Sequence, residues 1–179
     1  MKTLYYILLL LFFSFCRTRK EALIITDFSL QRPSIYLIDS IEKKNNRIRI
    51  YPSYTIGVAK DYFPNADKFK LGQPLVFTRD TSKLMTQVTY FFSVPDSTVR
   101  LIEYSWNTTG KGQNTISQLF GSNKTLLSKH FKDKGTESER KEDTWSQKNI
   151  IWENDSTYAK QFMLIQGKPT RTRVLISWK

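Results

Sequence analysis

Two runs of β-branched and aromatic residues constrain this chain most: Gln87-Val88-Thr89-Tyr90-Phe91-Phe92-Ser93 and Val99-Arg100-Leu101-Ile102-Glu103-Tyr104-Ser105-Trp106, separated by Pro95-Asp96-Ser97. Side chains that branch at Cβ or carry rings are stiff, and they pack well against cross-strand neighbours on a pleated surface. Pro presets the first φ of a turn, while Asp and Ser hydrogen-bond their own backbone, so the break between the runs is a turn. The pattern predicts an antiparallel hairpin over 87–93 and 99–106. Two strands alone are marginal in water, so the remainder of the chain must extend the sheet and cover it.

Between residues 113 and 134 the apolar period changes from two towards 3.6, and Ile116, Leu119, Phe120, Leu127 and Phe131 fall on one helical face. This predicts the main helix, interrupted at Gly121 and restarted with Ser122 as its cap. Residues 133–143 read as a solvated, mixed-charge loop. Strands follow at 149–153, 157–166 and 170–178, with turns at Asn154-Asp155-Ser156 and Gly167-Lys168-Pro169.

Upstream, two short strands are expected near 23–26 and 34–41, with Pro33 preventing a long helix through the middle. After the turn Lys43-Lys44-Asn45-Asn46, the segment Arg47-Ile48-Arg49-Ile50-Tyr51 alternates with period two, placing Ile48 and Ile50 inward and both arginines outward. Residues 61–72 read as a loop leading to an apolar run at 74–78. The order strand, strand, helix and three-strand meander implies an α+β domain: an antiparallel β-sheet with one main helix packed on one face. With 179 residues, 40% of them hydrophobic, the chain carries material for one core, spanning residues 22–179.

Residues 1–15 have the layout of a secretory signal: Lys2, then an apolar run from 4 to 15 that is too short for an ordinary spanning helix. Two kinds of cleavage fit. Cys16, placed directly after the run, suits lipid attachment at its sulfur with residues 16–21 as a linker, although Phe13 and Phe15 stand where a lipobox has Leu and a small residue. Ser14 and Cys16 also have the small-x-small spacing of ordinary signal peptidase. Arg17, Arg19 and Lys20 after the run oppose the positive-inside rule, which keeps an uncleaved anchor as a third reading. Export also argues against nucleic acid as the reason for a formal charge of +12.

The hairpin residues Tyr90 to Ser93 and Arg100 to Trp106, the helix and the closing Arg171-Thr172-Arg173-Val174-Leu175-Ile176-Ser177-Trp178 resemble small uncharacterised lipoproteins of Bacteroidota. The triplets Asp39-Ser40-Ile41, Asp96-Ser97-Thr98 and Asp155-Ser156-Thr157 also match the short pattern such bacteria O-glycosylate in exported proteins; Asp-Ser is equally ordinary turn chemistry. The resemblance implies an envelope location, anchored to a membrane by lipid at Cys16, and carries no activity with it.

Catalytic and metal constellations are sparse. His130 is the one imidazole in the chain and sits on the expected helix beside Phe131 in a lysine-rich turn, which suits the helix dipole better than catalysis. One His and one Cys, far apart in sequence, do not make a zinc site, and no metal or other cofactor is expected. Gly110-Lys111-Gly112 begins like a dinucleotide loop, but Thr115 stands where the third Gly or Ala belongs. Glu103, Glu153 and Asp155 lie on or beside strands and leave a carboxylate-dependent hydrolase as an alternative.

The most positive signal is basic: Arg47 with Arg49, and Arg171 with Arg173, each pair on one strand face. If both pairs point outward from one sheet face, they form a cationic patch for an anionic envelope polymer or an acidic protein. The expected function is therefore a non-catalytic binding or scaffolding module, with an inhibitor or immunity-type lipoprotein directed at a toxin or hydrolase as another alternative.

Overall fold

The computed structural model describes residues 29–179 except 55, 109 and 111. The expectations for residues 1–28, including Cys16, the apolar run and a strand at 23–26, lie outside the described residues. The described chain is broadly α+β: eight strands in one antiparallel sheet, with two helices. The strands are β1 (Ile48–Ile50), β2 (Leu75–Asp80), β3 (Leu84–Ser93), β4 (Thr98–Thr108), β5 (Thr136–Lys141), β6 (Ser146–Glu153), β7 (Thr157–Gln166) and β8 (Lys168–Trp178). The helices are α1 (Ile38–Lys44), entered through a 3-10 turn at Ile35–Leu37, and α2 (Gln113–Phe131). The sheet order is β1-β2-β3-β4-β8-β7-β6-β5. The last strand therefore inserts beside β4, and joins the β2–β4 meander to the β5–β7 meander.

The hairpin β3–β4 is paired throughout, from Leu84 opposite Thr108 to Ser93 opposite Thr98, with a bulge between Phe91 and Phe92. Its turn works as the residues require. Asp96 Oδ1 accepts from the Thr98 backbone N–H at 3.1 Å, and Ser97 takes a left-handed φ of 51°, a conformation that a local side-chain hydrogen bond helps a non-glycine residue tolerate. At the β6–β7 turn Asn154 Oδ1 accepts from the N–H groups of Ser156 and Thr157.

Pairing registers sort the side chains onto two faces. On one face, Phe77, Val88, Tyr104 and Val174 follow one another across neighbouring strands. They belong to the larger core cluster, together with Ile116, Leu119 and Leu127 of α2 and Ile38 of α1. On the opposite face, Phe91, Leu101, Leu175 and Phe162 cluster with Phe63, and Tyr62, Phe69 and Leu71 lean on them. The connection between β1 and β2 is therefore not the plain loop its composition predicts. It crosses this second face and buries Phe63 to 1% exposure. Backbone bonds from Gly72 N–H to Phe92 O and from Val94 N–H to Lys70 O then tie its return to the end of β3.

Three local expectations are corrected. Residues 34–41 form the 3-10 turn and α1, not a strand. Pro33 lies just ahead of the helix, where a missing N–H costs nothing, and Ile38 and Glu42, four residues apart, turn inward together. Helix α2 runs unbroken through Gly121, whose exposed position has open space around it, so the residue lowers helix propensity without ending the helix. It ends at Lys132, in a left-handed conformation with its N–H on Ser128 O. Most of residues 133–143 form edge strand β5, every residue of which is exposed. The charged side chains of Glu137, Glu139, Arg140 and Lys141 protect that edge from further pairing.

Candidate functional site

The four arginines do not form one patch. Arg49 pairs with Phe77, and through it lies in line with Val88, Tyr104 and Val174 on the first face. Arg171 and Arg173 pair with Asn107 and Ser105 on the opposite face. Strands β1 and β8 are also four spacings apart in the sheet, about 19 Å.

The expected facing of β1 is reversed. Ile48 is 73% exposed and Arg47 only 6%. The cause is Glu42: the Arg47 N–H closes the turn on Glu42 O at 2.9 Å, and the guanidinium Nη1 then donates to Glu42 Oε2 at 2.7 Å. A buried carboxylate needs a charged partner, and as β1 is an edge strand its two isoleucines can be left outside. The Tyr90 hydroxyl donates to the other oxygen, Glu42 Oε1. Burial, the neighbouring Tyr104 and the Glu42 carboxylate together push the Tyr90 phenol far above its ordinary range. Arg49 is spent locally, pairing with Asp39 at 3.2 Å and lying over the Tyr51 ring at 5.0 Å.

The β8 pair is different. Arg171 and Arg173 alternate on the strand and stand about 7 Å apart on the second face, beside the part that the β1–β2 connection covers. Arg171 Nε donates to Asn107 Oδ1. Arg173 Nη1 meets Glu103 Oε1 at 3.2 Å, and its guanidinium lies 5.8 Å from the Phe162 ring centre. The Arg173 Nε is buried and has no hydrogen-bond partner among the described residues. Partial burial, followed by the charge of Arg173, lowers the Arg171 pKa. Burial also raises that of Glu103, against the pull of the two arginines. Two partly buried guanidiniums thus stand near one carboxylate that is itself reluctant to ionise, Arg173 in contact with it and Arg171 held on Asn107.

The remaining candidates are not assembled into chemistry. Glu103 and Glu153 are separated by β8 and β7, about 14 Å at the usual strand spacing, and Glu153 pairs instead with Lys179 at 3.1 Å. Asp155 is exposed in the β6–β7 turn. His130 is exposed and edge-on to Phe131, 5.1 Å between ring centres. Of the Gly110-Lys111-Gly112 loop, Lys111 is outside the described residues. Gly112 precedes α2, where an added Cβ would lie 2.6 Å from Lys83 O, so close backbone approach accounts for that glycine. Among the described residues no three of His, Cys, Asp and Glu converge on a point, and no helix is long and apolar enough to cross a membrane. The Asp-Ser triplets occupy α1 and two turns; in α1 the Ser40 hydroxyl donates to Leu37 O at 2.8 Å.

Sequence reasoning missed one feature. A cleft of about 480 Å³ lies between α1, residues 29–34 and the first face of β3 and β4. Its walls include Leu37, Ile41, Glu42, Tyr90, Ile102 and Tyr104. The Tyr104 hydroxyl accepts the Ser29 N–H at 3.0 Å. The available signal was Glu42, an acid four residues after Ile38 on what proved to be the inner side of a helix. Compared with known proteins, the chain matches no family model, no curated protein and no solved structure.

Proposed function

We propose that this is an exported cell-envelope lipoprotein, held to a membrane through Cys16, that binds an anionic polymer of the envelope and catalyses no reaction. The observation that supports the binding role is the Arg171–Arg173 pair. Two guanidiniums on one rigid strand face, partly buried and with Glu103 paired to Arg173 alone, gain more from an incoming phosphate or carboxylate than freely solvated side chains would. The basic face of this reading is therefore β8 alone, with Arg47 and Arg49 assigned to the internal ion pairs described above. A second part of the reading is that α2 is the main cover of the first sheet face. It is supported by Ile116, Leu119 and Leu127 sharing a core cluster with Val174 and Ile176.

Binding of polyphosphate to the detergent-extracted full chain, followed by titration at increasing salt, tests the function. Affinity that falls steeply with salt and drops in Arg171→Ala and Arg173→Ala is the expected result. Affinity independent of salt, or unchanged in both variants, would remove the proposal. The anchor has its own test in the intact mass of the native protein. A mature chain starting at Cys16 and carrying acyl mass is expected, and an unmodified chain starting at Met1 or Arg17 would exclude it.

A further inference from the structure

Among the described residues ten large apolar or aromatic side chains are exposed, and seven of them lie between positions 36 and 54. Single exposed hydrophobics are ordinary on any protein surface, but a cluster of them marks a contact. This cluster occupies the β1 edge of the sheet. Leu37 and Ile41, four residues apart, are on the outer side of α1 and its entry turn, and Ile48 and Ile50 project from β1 itself. The parts are contiguous. Arg49 reaches from β1 to Asp39 of α1 at 3.2 Å while lying over the Tyr51 ring at 5.0 Å. Gln73 Nε2, just ahead of β2, donates to the Tyr54 carbonyl at 3.0 Å, which holds that residue beside the same edge.

The composition of the edge selects what covers it. Tyr36, Tyr51 and Tyr54 are 85%, 80% and 68% exposed, and a ring with a polar tip suits the headgroup level of a bilayer, where tyrosine is enriched. Lys43 and Lys44 in the last turn of α1 are exposed as well, and ammonium groups beside an apolar surface complement anionic headgroups. The same lysines oppose a second copy of the chain. A two-fold contact sets a patch against itself, crowding the cations of both copies together, and the three residues of β1 offer little strand to pair. Position adds a further argument, which rests on the lipid anchor at Cys16 proposed above. Ser29, whose N–H is held by the Tyr104 hydroxyl at 3.0 Å, lies beside α1. It is thirteen residues after Cys16, which limits its distance from the anchor to roughly 45 Å. A tether of that length keeps the edge at high effective concentration over the membrane. We propose that the α1–β1 edge is a membrane-contact surface that lies on the anionic headgroups of the bilayer carrying the anchor.

The test is fluorescence quenching on the full chain, extracted in detergent and reconstituted into vesicles of phosphatidylcholine and phosphatidylglycerol. A fluorophore is placed by Ser53→Cys, between the two tyrosines, or by Ser138→Cys on β5, at the opposite edge of the sheet. The quencher is a spin label on the lipid headgroup. The Ser53 probe should be quenched several-fold more than the Ser138 probe, and vesicles of phosphatidylcholine alone should reduce the difference. Combining Ile48→Thr, Tyr51→Ser and Tyr54→Ser should bring the two probes level without moving the thermal melt, because all three side chains are exposed. Equal quenching at both edges, or a difference that survives the triple variant, would overturn the proposal. So would a Ser53 probe shielded from aqueous iodide yet untouched by the lipid quencher, which would assign the edge to a second copy or another protein. The parent chain reads the anchor separately. If it floats with the vesicles and its cysteine takes no label, the anchor stands and a failure of Ser53 quenching falls on this proposal alone; if it takes the label or does not float, the anchor is removed and the proposal with it.

Discussion

Arg47 turns back onto Glu42, Nη1 to Oε2 at 2.7 Å, with side chains only 2% and 1% exposed. The pair joins the end of α1 to the start of β1, and through Tyr90 it is fastened to the middle of the sheet. A buried ion pair of this kind is weak evidence of net stability, because desolvation offsets the attraction. It is strong evidence of coupling.

Removing one member strands the other. Glu42→Ala should therefore cost about 3–5 kcal/mol, whereas the double change Glu42→Leu with Arg47→Met should cost far less and can even stabilise. Urea unfolding of the two single variants and the double variant measures this. A double variant as unstable as the sum of the singles would show that the charges are not coupled.

Gly135 is the residue on which the α2–β5 connection depends. Its φ is +77°, and a Cβ there would lie 2.7 Å from Ile150 Cγ2 and from the ring of Trp152. Trp152 cannot retreat, being 0% exposed with its Nε1 on Asp133 O at 3.2 Å. Gly135→Ala combines left-handed strain with a core overlap, and should cost about 2 kcal/mol or more in thermal or urea unfolding. Gly121→Ala, on the open side of α2, should instead stabilise by about 0.5–1 kcal/mol.

The same contrast explains what could be read in the sequence. The 87–93 and 99–106 strands were legible because alternation and turn chemistry agree, and each depends on neighbours close in the chain. Residues 34–41 were not, because Ile35, Tyr36, Ile38 and Ile41 suit either periodicity over so short a run, and the choice is made by Glu42 finding Arg47 and Tyr90, the latter 48 residues away. The arginine faces were illegible for a related reason. Period two says that Arg47 and Arg49 share a face, and likewise Arg171 and Arg173, but the relation between the pairs depends on β8 inserting beside β4. The mixed charge of 136–141 signals a solvated segment, which an exposed edge strand is as much as a loop.

Glu103 makes a pH prediction. Burial holds its folded pKa above the ordinary 4.5. Folding therefore favours the protonated acid, and this contribution is complete below the unfolded pKa and lost as pH rises through the folded one. Glu103→Gln cannot ionise and can still accept from Arg173, so it should gain stability relative to the native chain as pH rises from 4 towards 7. Denaturation at both pH values checks it, and a difference that does not change with pH would show that Glu103 is not desolvated.

Asn123 is 0% exposed on α2, and neither its side-chain nitrogen nor its oxygen has a hydrogen-bond partner among the described residues. It lies one helical turn from Phe120, whose carbonyl takes the Gln161 amide at 2.8 Å. An unsatisfied buried carboxamide is costly, and Asn123→Leu removes the polar atoms at similar length. The variant should be more stable by about 1–3 kcal/mol, read as a shift in urea midpoint without a change in slope.

The arginines give the sharpest division of binding from architecture. Arg171 and Arg173 lie on the second face of β8, where Glu103 pairs with Arg173, whereas Arg49 is on the other side of the sheet and paired with Asp39. Polyphosphate affinity should fall in Arg171→Ala and in Arg173→Ala, and the slope of log affinity against log salt should become shallower by about 1 for each. Arg49→Ala should leave both unchanged, although it removes the same formal charge. Glu103→Gln should raise affinity, since it deletes the internal competitor for the two guanidiniums without emptying the space beside them. Equal losses from Arg49→Ala and Arg171→Ala would mean that the chain binds anions through its overall charge and that the β8 face is not a site.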